Sequence, residues 1–448
     1  MPKDRPFTQA LLAQTQALQC AELPADVRER ARQCVLDWLG VALAGADSHL
    51  VRLLGAHALA EGGQPVATLL GQLRRVSPAQ AALVNGAASH VLDYDDVNTA
   101  MHGHPTAPIL PAAMALAQQL GVRGDRLLAA FVAGYEFACR AGRTVGPGHY
   151  ERGYHATASI GVLGAAAACA HLLELDAARA AHAIGIAATQ AAGLRAMFGT
   201  ECKPLHVGLA AQNGLRAALW AAAGLVARAD ALEARCGFAD TLAPAFDARA
   251  GLEEPARFHL RDNLFKYHAS CYGTHAAIEC IRTLRETQGL LPEQVECVVV
   301  RGERGQDTIC NIAAPCTALE AKFSLRFMAA AALAGADTAD LGFYTDARTA
   351  DPVLCALRDK VRVELMDGEW PMVQGEVFVT LKDGRVLRAL HDAAVPDPDL
   401  ARQGRRLAAK FERLVTPALG AVRVSRLVAG IEALEHQPVD ALLQTCTP

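Results

Sequence analysis

The chain has 448 residues, of which 52% are hydrophobic, 20% charged and 5% aromatic. At about 100–200 residues per domain, this length predicts about two to four domains, and the composition is typical of a globular chain rather than a disordered one. The formal net charge of −4 provides no overall positive field to attract nucleic acid or an anionic membrane. We therefore expect neither partner.

The N-terminal segment and the cysteines indicate a cytoplasmic protein. Residues 1–16 contain no unbroken apolar stretch and no small-residue cleavage site, so they do not resemble a secretory signal. The most apolar window, residues 161–173, is too short to span a bilayer, and we interpret it as a core helix. Thirteen cysteines are scattered singly without a C-x-x-C pair, which favours reduced thiols over zinc or iron–sulfur ligands.

Apolar residues recur at spacings of three and four from the start of the chain to about residue 227, which predicts a helical region. In residues 24–45, one helix face carries Val27, Ala31, Cys34, Trp38 and Val41. Ser77 and Pro78 predict a helix start, with the serine as N-cap and the proline as the first helical residue. Further helices are predicted at residues 107–120, 125–143, 157–175, 177–194 and 205–222, and a short strand at 66–70.

The pattern changes after residue 261. Runs of β-branched residues at 295–300 and 361–365 predict strands, and the Asp383-Gly384 turn between 377–381 and 386–390 predicts a hairpin. Helices are predicted at 274–285 and 319–334, and again in the tail at 397–415 and 425–435. We therefore predict a mainly α protein with a large all-helical domain built from both chain ends, residues 1–266 and 397–448. Residues 267–396 form a smaller inserted α+β domain that acts as a lid.

The densest polar stretch between two predicted helices spans residues 90–106. It holds three carboxylates, Asp93, Asp95 and Asp96, and three histidines, His90, His102 and His104. Histidine exists in both protonation states near neutral pH, so this density suits proton transfer, although a solvated loop is the plain structural alternative. The His102-x-His104 pair could bind a divalent metal with an aspartate, but such pairs usually end a barrel strand and Ala-rich helices flank this one. We predict no metal.

Two predicted helix starts carry further polar residues. Tyr154 and His155 precede an Ala-rich helix, whose N-terminal N–H groups favour anions. Lys203 comes just before a helix whose first turn holds Pro204, and we expect the neighbouring Cys202 to pack rather than to react. A histidine at a helix start is often a cap and an isolated lysine is usually solvated, so each residue also has a structural interpretation.

A third group lies where the helical pattern gives way to the α+β pattern. Lys266, His268 and His275 fall within ten residues there, and clefts between domains are preferred ligand sites. The sequence contains no Walker loop, no G-x-G-x-x-G after a strand, no G-x-S-x-G and no H-E-x-x-H. These absences argue against the common nucleotide-binding, α/β-hydrolase and zinc-protease motifs.

Taken in order, these segments resemble the MmgE/PrpD family over essentially the whole chain. The most specific motifs are residues 92–96 (LDYDD) with His104-Pro105, Gly199-Thr200 with residues 202–206 (CKPLH), and residues 266–268 (KYH). The resemblance implies a helical domain from both chain ends, a smaller α+β domain, a homodimer, and chemistry without a metal or organic cofactor. It also implies a site formed by Asp93, His104, His155, Lys203 and Lys266.

The branch within that family stays open. Val97 stands where the decarboxylase branch has threonine, and Phe327 where it has tyrosine, in an ungapped comparison. The spacing from the aspartates to His104 is one residue longer than in that branch, and the loop that begins at His104 also differs from that of the dehydratase branch. These differences bear on the reaction and the substrate rather than on family membership.

We hypothesise a lyase that abstracts a proton α to a carboxylate of a small di- or tricarboxylate, because fixed cations stabilise the enediolate charge that develops. The acid/base candidates are His104 and His155, oriented by Asp93, and the substrate-binding candidates are Lys203, Lys266, Tyr154, His268 and His275. We expect Lys203 to matter more for turnover than for folding. Dehydration of a 2-methylcitrate-like substrate is the first interpretation. Epimerisation of an iminodisuccinate-like substrate and decarboxylation of a cis-aconitate-like one share its carbanion, and a non-catalytic polycarboxylate-binding or scaffold protein is the alternative from another class.

Overall fold

The chain is described here from a computed structural model, which covers residues 6–368, 370, 371 and 373–446. About 60% of the chain is helical and 10% is strand, so the predicted fold class, mainly α with a smaller α+β part, is confirmed. The chain divides into two compact units. Unit 1 comprises Met1–Phe265 and Asp397–Pro448, and unit 2 comprises Lys266–Pro396.

Unit 1 is built mainly from Ala-rich helices. Its elements before residue 265 are α1 (Phe7–Thr15), α2 (Ala25–Gly45), α3 (His49–Glu61), β1 (Ala67–Thr68), β2 (Arg75–Val76), α4 (Pro78–His90), α5 (Thr106–Leu120), α6 (Gly124–Glu151), α7 (Ala156–Ser159), α8 (Gly161–Leu172), α9 (Ala177–Ala188), α10 (Cys202–Ala222), α11 (Phe238–Leu242) and α12 (Ala248–Leu252). The predicted strand at 66–70 is reduced to the two residues of β1, which pair antiparallel with β2.

Local chemistry predicted several helices correctly. The five apolar residues of the predicted α2 face are all buried. At the start of α4, the Ser77 side chain accepts a hydrogen bond from the Gln80 backbone N–H, which completes a capping box. Helix α5 ends at Gly121, whose φ of 65° is the left-handed conformation that glycine adopts without steric cost.

Several predicted boundaries are wrong. The helix expected at 157–175 is the pair α7 and α8, and α9 ends at Ala188, six residues before the predicted end at 194. Helix α10 begins at Cys202, two residues before Pro204. Proline is tolerated in the first turn of a helix, because the N–H that it lacks would have no intrahelical partner there. Lys203 is therefore inside the helix, and Cys202 is exposed rather than packed.

Close crossing of α4 and α10 determines where their ends meet. A Cβ added to Gly86 would lie 3.0 Å from the Gly208 Cα, so only small residues fit at this crossing. The Gln212 side chain donates to the Ala79 carbonyl oxygen at 3.1 Å, nearer the start of α4. Residue numbers thus rise along α4 as they fall along α10, and the two helices are antiparallel. The C-terminal end of α4 therefore meets the N-terminal end of α10.

Unit 2 contains a four-stranded sheet with helices on it. Its elements are α13 (His275–Gln288), β3 (Val295–Glu303), α14 (Gln306–Cys310), α15 (Ala318–Ala321), α16 (Leu325–Ala334), α17 (Asp346–Thr349), α18 (Pro352–Arg358), β4 (Val361–Met366), β5 (Gln374–Leu381) and β6 (Val386–Asp392). The strand order is β4-β3-β5-β6, with β3 and β4 parallel and the other pairs antiparallel. The predicted hairpin is β5–β6, and Gly384 in its turn has φ 88°.

The tail returns to unit 1 as α19 (Leu400–Leu419), α20 (Ala421–Glu432) and α21 (Val439–Gln444). Helix α19 packs on α2, and two buried polar contacts join the pair. Gln403 donates to the Gln33 side-chain oxygen at 2.6 Å, and Lys410 donates to Asp37 at 2.6 Å. Both ends of the chain thus contribute to one helical unit.

The thiols and the apolar helices agree with the expectations from sequence. All thirteen cysteines are free thiols, and the predicted core helix α8 is buried along nearly its whole length. Among the described residues, no single helix has both the length and the apolar character needed to cross a bilayer, and the bent pair α2 and α3 meets those two criteria only when counted together.

Candidate active site

The meeting point of α4 and α10 brings Asp93 and Lys203 together. Helix α4 ends at His90, and Asp93 then adopts a left-handed backbone conformation, with φ 51°, that is uncommon for residues other than glycine. The Lys203 Nζ donates to Asp93 Oδ1 at 2.9 Å, and both side chains are less than one-tenth exposed. A buried ammonium is therefore fixed at the end of these helices.

Asp95 is the carboxylate that faces two imidazoles. Its Oδ2 lies 2.8 Å from His90 Nδ1 and 3.1 Å from His104 Nδ1. Burial acts to raise the pKa of Asp95, but the imidazoles of His104 and His90 outweigh it and hold that pKa well below its usual range. Asp95 is thus a carboxylate at neutral pH, and it can orient both rings.

Four imidazoles follow one another in the cluster. Ring centroids are 4.8 Å apart for His90 and His104, 5.5 Å for His90 and His155, and 5.6 Å for His155 and His206. Burial lowers the pKa of His90 to about 4. Burial also lowers the pKa of His155 well below its usual range, with further lowering from the neighbouring His90 and Lys203. His90 and His155 are therefore neutral near pH 7 and can accept a proton.

The position of His155 differs from that of a capping residue. It is the N-cap of the four-residue helix α7, but its side chain makes no capping hydrogen bond. Its backbone N–H donates to the Gly193 carbonyl oxygen at 3.0 Å, and its Nδ1 lies 3.4 Å from His206 Nδ1. The ring is thus directed to the imidazole cluster instead of to its own helix.

The same cluster contains a set of possible metal ligands. One atom each from His90, Asp93, Asp95 and His104 lie within 4.8 Å of one another, a donor set that zinc accepts. Neither His102 nor an Asp96 oxygen is in this set, so the H-x-H pair weighed from the sequence is not its basis. In the structure, the Lys203 ammonium contacts Asp93 and the His90 imidazole contacts Asp95. The expectation of no metal stays a prediction.

Tyr154, a predicted substrate-binding residue, has a structural partner. Its ring stacks face to face on the His149 imidazole, with centroids 4.8 Å apart and planes 3° from parallel. Its backbone forms an isolated antiparallel bridge with Leu194. These contacts favour a role in holding the chain that precedes His155.

The three predicted residues of unit 2 are all buried. His268 uses both ring nitrogens inside the unit, with Nδ1 2.7 Å from Thr338 Oγ1 and Nε2 2.9 Å from Glu279 Oε1. Burial would raise the pKa of Glu279, but its bond to His268 lowers it to about 2. The geometry favours a structural role for His268 over the predicted substrate contact. His275 packs 4.9 Å from the His268 ring, and the roles of His275 and Lys266 stay predictions.

Three members of the cluster were not selected from the sequence. Asp93, which was predicted to orient a histidine, contacts Lys203, and Asp95 contacts two imidazoles. The orienting role of Asp93 stays a prediction. The members not selected are His90, Asp95 and His206. His206 follows Lys203 by three residues on α10, and this i,i+3 spacing on one helix face was a usable signal.

Comparisons with known proteins agree in both halves of the chain. The MmgE/PrpD N-terminal domain matches residues 9–250, which is more than half of the chain, and the MmgE/PrpD C-terminal domain matches residues 268–436. Cis-aconitate decarboxylase from Homo sapiens is 27% identical over 401 residues, covering 84% of this chain and 81% of that protein. The Mus musculus enzyme of the same name is 26% identical, covering 96% and 90%. The Aspergillus terreus enzyme of that name is 30% identical, covering 61% and 58%.

Proposed function

Because this chain belongs to the MmgE/PrpD family and is an enzyme of that type, we propose that it is a lyase that acts on a small tricarboxylate through a carbanion next to a carboxylate. One observation carries the proposal: a buried ammonium, two buried carboxylates and four imidazoles lie together in unit 1. Ionisable groups at this density, several with pKa values shifted by burial, are typical of acid/base sites.

The ammonium supports the choice of an anionic substrate. As a carbanion forms α to a carboxylate, negative charge spreads onto the carboxylate oxygens, and a fixed cation in a buried site stabilises it strongly. Lys203 is held by Asp93 and does not have to be ordered during the reaction. We assign Lys203 to a substrate carboxylate. From the resemblance alone, we assign Lys266 to a second one.

The two predicted acid/base histidines differ in their surroundings, and this difference supports separate roles. His104 lies against the Asp95 carboxylate, with Nδ1 3.1 Å from Oδ2, and this contact fixes the orientation of the ring. His155 is buried among other imidazoles and Lys203, which favour its neutral form. We assign His104 as the proton donor and His155 as the proton acceptor, with Asp95 in the orienting role that was predicted for Asp93.

The names of the relatives favour decarboxylation of a cis-aconitate-like substrate as the first reaction to test. In this reaction the bond between the α carbon and a carboxylate breaks, CO2 leaves, and the electron pair stays on carbon. The carbanion, delocalised over the adjacent double bond, then takes a proton from the His104 imidazole, which is reprotonated from solvent. No oxidant or reductant is required.

Dehydration of a 2-methylcitrate-like substrate is the second candidate, because two hydroxyls expected of the decarboxylase branch are replaced by apolar side chains. Val97 pairs its backbone with Leu264, and Phe327 is buried in unit 2 with its ring 6.2 Å from the ring of Phe343. In dehydration, neutral His155 takes the α proton, and His104 protonates the departing hydroxyl as water. His104 is thus the proton donor in both reactions, whereas His155 accepts a proton only in the dehydration.

A panel of substrates tests the proposal. The purified protein is incubated with cis-aconitate, 2-methylcitrate, citrate and iminodisuccinate while CO2, ultraviolet absorbance and chiral composition are followed. We expect turnover of one tricarboxylate and its loss in His104→Gln and in His155→Gln. Lys382→Met, at an exposed lysine of the unit 2 hairpin, is the control. Conversion of iminodisuccinate alone would replace the lyase proposal by an epimerase, and binding without turnover would favour the non-catalytic alternative.

A further inference from the structure

A buried ion pair between α2 and α19 contacts the loop that carries Asp93 and Asp95. Lys410 Nζ donates to Asp37 Oδ1 at 2.6 Å and to the carbonyl oxygen of Tyr94 at 2.8 Å. The same ammonium lies 3.9 Å from the centroid of the Tyr94 ring. The side chains of Lys410 and Asp37 are 6% and 2% exposed. One cation therefore holds both the backbone and the ring of Tyr94.

Tyr94 separates the two aspartates of the site. Asp93 precedes it and contacts Lys203, and Asp95 follows it and contacts two imidazoles. Two side chains that are two residues apart and have different partners require one defined orientation of the peptides between them. The left-handed φ of Asp93, 51°, is an uncommon backbone conformation for a residue other than glycine, and surrounding contacts help to maintain it. A tertiary contact to the Tyr94 carbonyl oxygen supplies that constraint.

We propose that Lys410 is a positioning residue of the active site, which acts through Tyr94 to hold Asp93 against Lys203 and Asp95 against the imidazoles. The inference rests on the proposed function and adds a residue from the C-terminal tail, about 200 residues beyond Lys203 in the chain. The contacts of Lys410 with Tyr94 lie in the loop itself, so in this proposal its effect reaches the reaction through the geometry of the two carboxylates.

If Lys410 only stabilises the fold, its variants should have a different effect on kcat, and a single and a double variant together distinguish this role from a positioning role. Lys410→Met alone leaves Asp37 buried without its cation, which destabilises the fold by itself. The double variant Asp37→Leu with Lys410→Met removes both charges, and we expect its melting temperature to return close to that of the wild type. The Tyr94 carbonyl oxygen still lacks its donor in that variant. We expect kcat to stay about 10–100-fold low, with a much smaller change in KM.

Two further variants complete the kinetic test. Lys410→Arg keeps a cation with a different shape, and we expect partial recovery of kcat relative to Lys410→Met. Lys382→Met again serves as the exposed-lysine control. A double variant with both the stability and the kcat of the wild type would show that Lys410 only stabilises the fold, and would overturn the inference.

A readout independent of turnover separates this inference from the proposed function. The imidazole NMR signals of His90 and His104, assigned with His90→Gln and His104→Gln, report the contact of both rings with Asp95. We expect these signals to shift in the double variant and to stay unchanged in Lys382→Met. If the wild type converts no substrate, the proposed function fails, and the imidazole signals alone decide on Lys410: unchanged signals refute its positioning role.

Discussion

Lys203 and Asp93 form a buried ion pair, with Nζ 2.9 Å from Oδ1, between the start of α10 and the end of α4. The sequence predicted that Lys203 matters more for turnover than for folding, and because of this pair we now expect it to matter for both. Lys203→Met removes a charge-assisted contact to the substrate, worth about 1.5–3 kcal/mol, so kcat/KM falls by roughly 10–150-fold. It also removes the ammonium from the buried Asp93 carboxylate, so stability falls by about 3–5 kcal/mol. Steady-state kinetics and denaturant unfolding measure the two effects.

The double variant Asp93→Asn with Lys203→Met is the matched control for that experiment. Both charges are absent, so we expect most of the lost stability to return while kcat/KM stays low. Lys203→Met with kinetics near those of the wild type would mean that Lys203 serves the fold alone.

Asp95→Asn tests the shared carboxylate. The amide keeps the shape but replaces one carboxylate oxygen by an NH2 group, so it no longer orients the His90 and His104 rings as the carboxylate does. We expect kcat to fall by about 100-fold or more, with a much smaller change in KM, because orientation acts on the transition state. Steady-state kinetics of Asp95→Asn beside the wild type measure both constants. A kcat within about threefold of the wild type would remove Asp95 from the proton-transfer path.

Asp96 predicts a pH-dependent stability. Burial, with smaller effects from the Asp37 and Asp95 carboxylates, raises the pKa of Asp96 to about 7. A folded-state pKa above the unfolded one favours the protonated form in the fold. The stabilisation of the fold by the protonated Asp96 carboxyl is complete below about pH 4. It is lost as the pH rises to about 7, and the free energy of unfolding falls by on the order of 1.4 kcal/mol per pH unit.

Asp96→Asn should remove this dependence, because the amide does not titrate. We expect the variant to gain stability relative to the wild type between pH 5 and pH 7.5, as measured by urea unfolding at both values. Glu286→Gln, at an exposed glutamate, is the control. A constant stability difference between Asp96→Asn and the wild type across that range would contradict the raised pKa.

Metal removal tests the expectation that the chemistry needs no metal. The four possible ligands are His90, Asp93, Asp95 and His104, and protein cations or imidazoles contact both carboxylates. We expect activity to survive dialysis against EDTA. The opposite result would be one metal ion per chain, with activity lost when the ion is removed and recovered when it is returned. That result would mean that a metal centre, and not the Lys203–Asp93 and His–Asp95 contacts, organises the site.

His268 should matter for folding more than for catalysis. His268→Gln loses one of the two buried partners, Thr338 or Glu279, so we expect a lower melting temperature and a kcat/KM within about threefold of the wild type. Thermal unfolding and kinetics on the same preparation measure both. A large rise in KM at unchanged stability would restore the substrate-binding role predicted from the sequence.

Sequence by itself determined the features that depend on local chemistry. Apolar spacing and the Ser77-Pro78 capping signal placed α2 and α4, and Asp383-Gly384 placed the β5–β6 hairpin, because each preference acts within a few residues. The motifs also predicted the family and located the polar segments of the site.

Only the tertiary structure decided which side chains meet. The antiparallel crossing of α4 and α10 at Gly86 and Gly208 brings Lys203 to Asp93, although 110 residues separate them. Asp93 and Asp95 face different partners, and the backbone at Asp93 is left-handed, with φ 51°. The order of residue types along the chain does not reveal this conformation. The partner of Tyr94 comes from a helix more than 300 residues away. Contacts of this range depend on how whole helices pack, and local sequence cannot encode them singly.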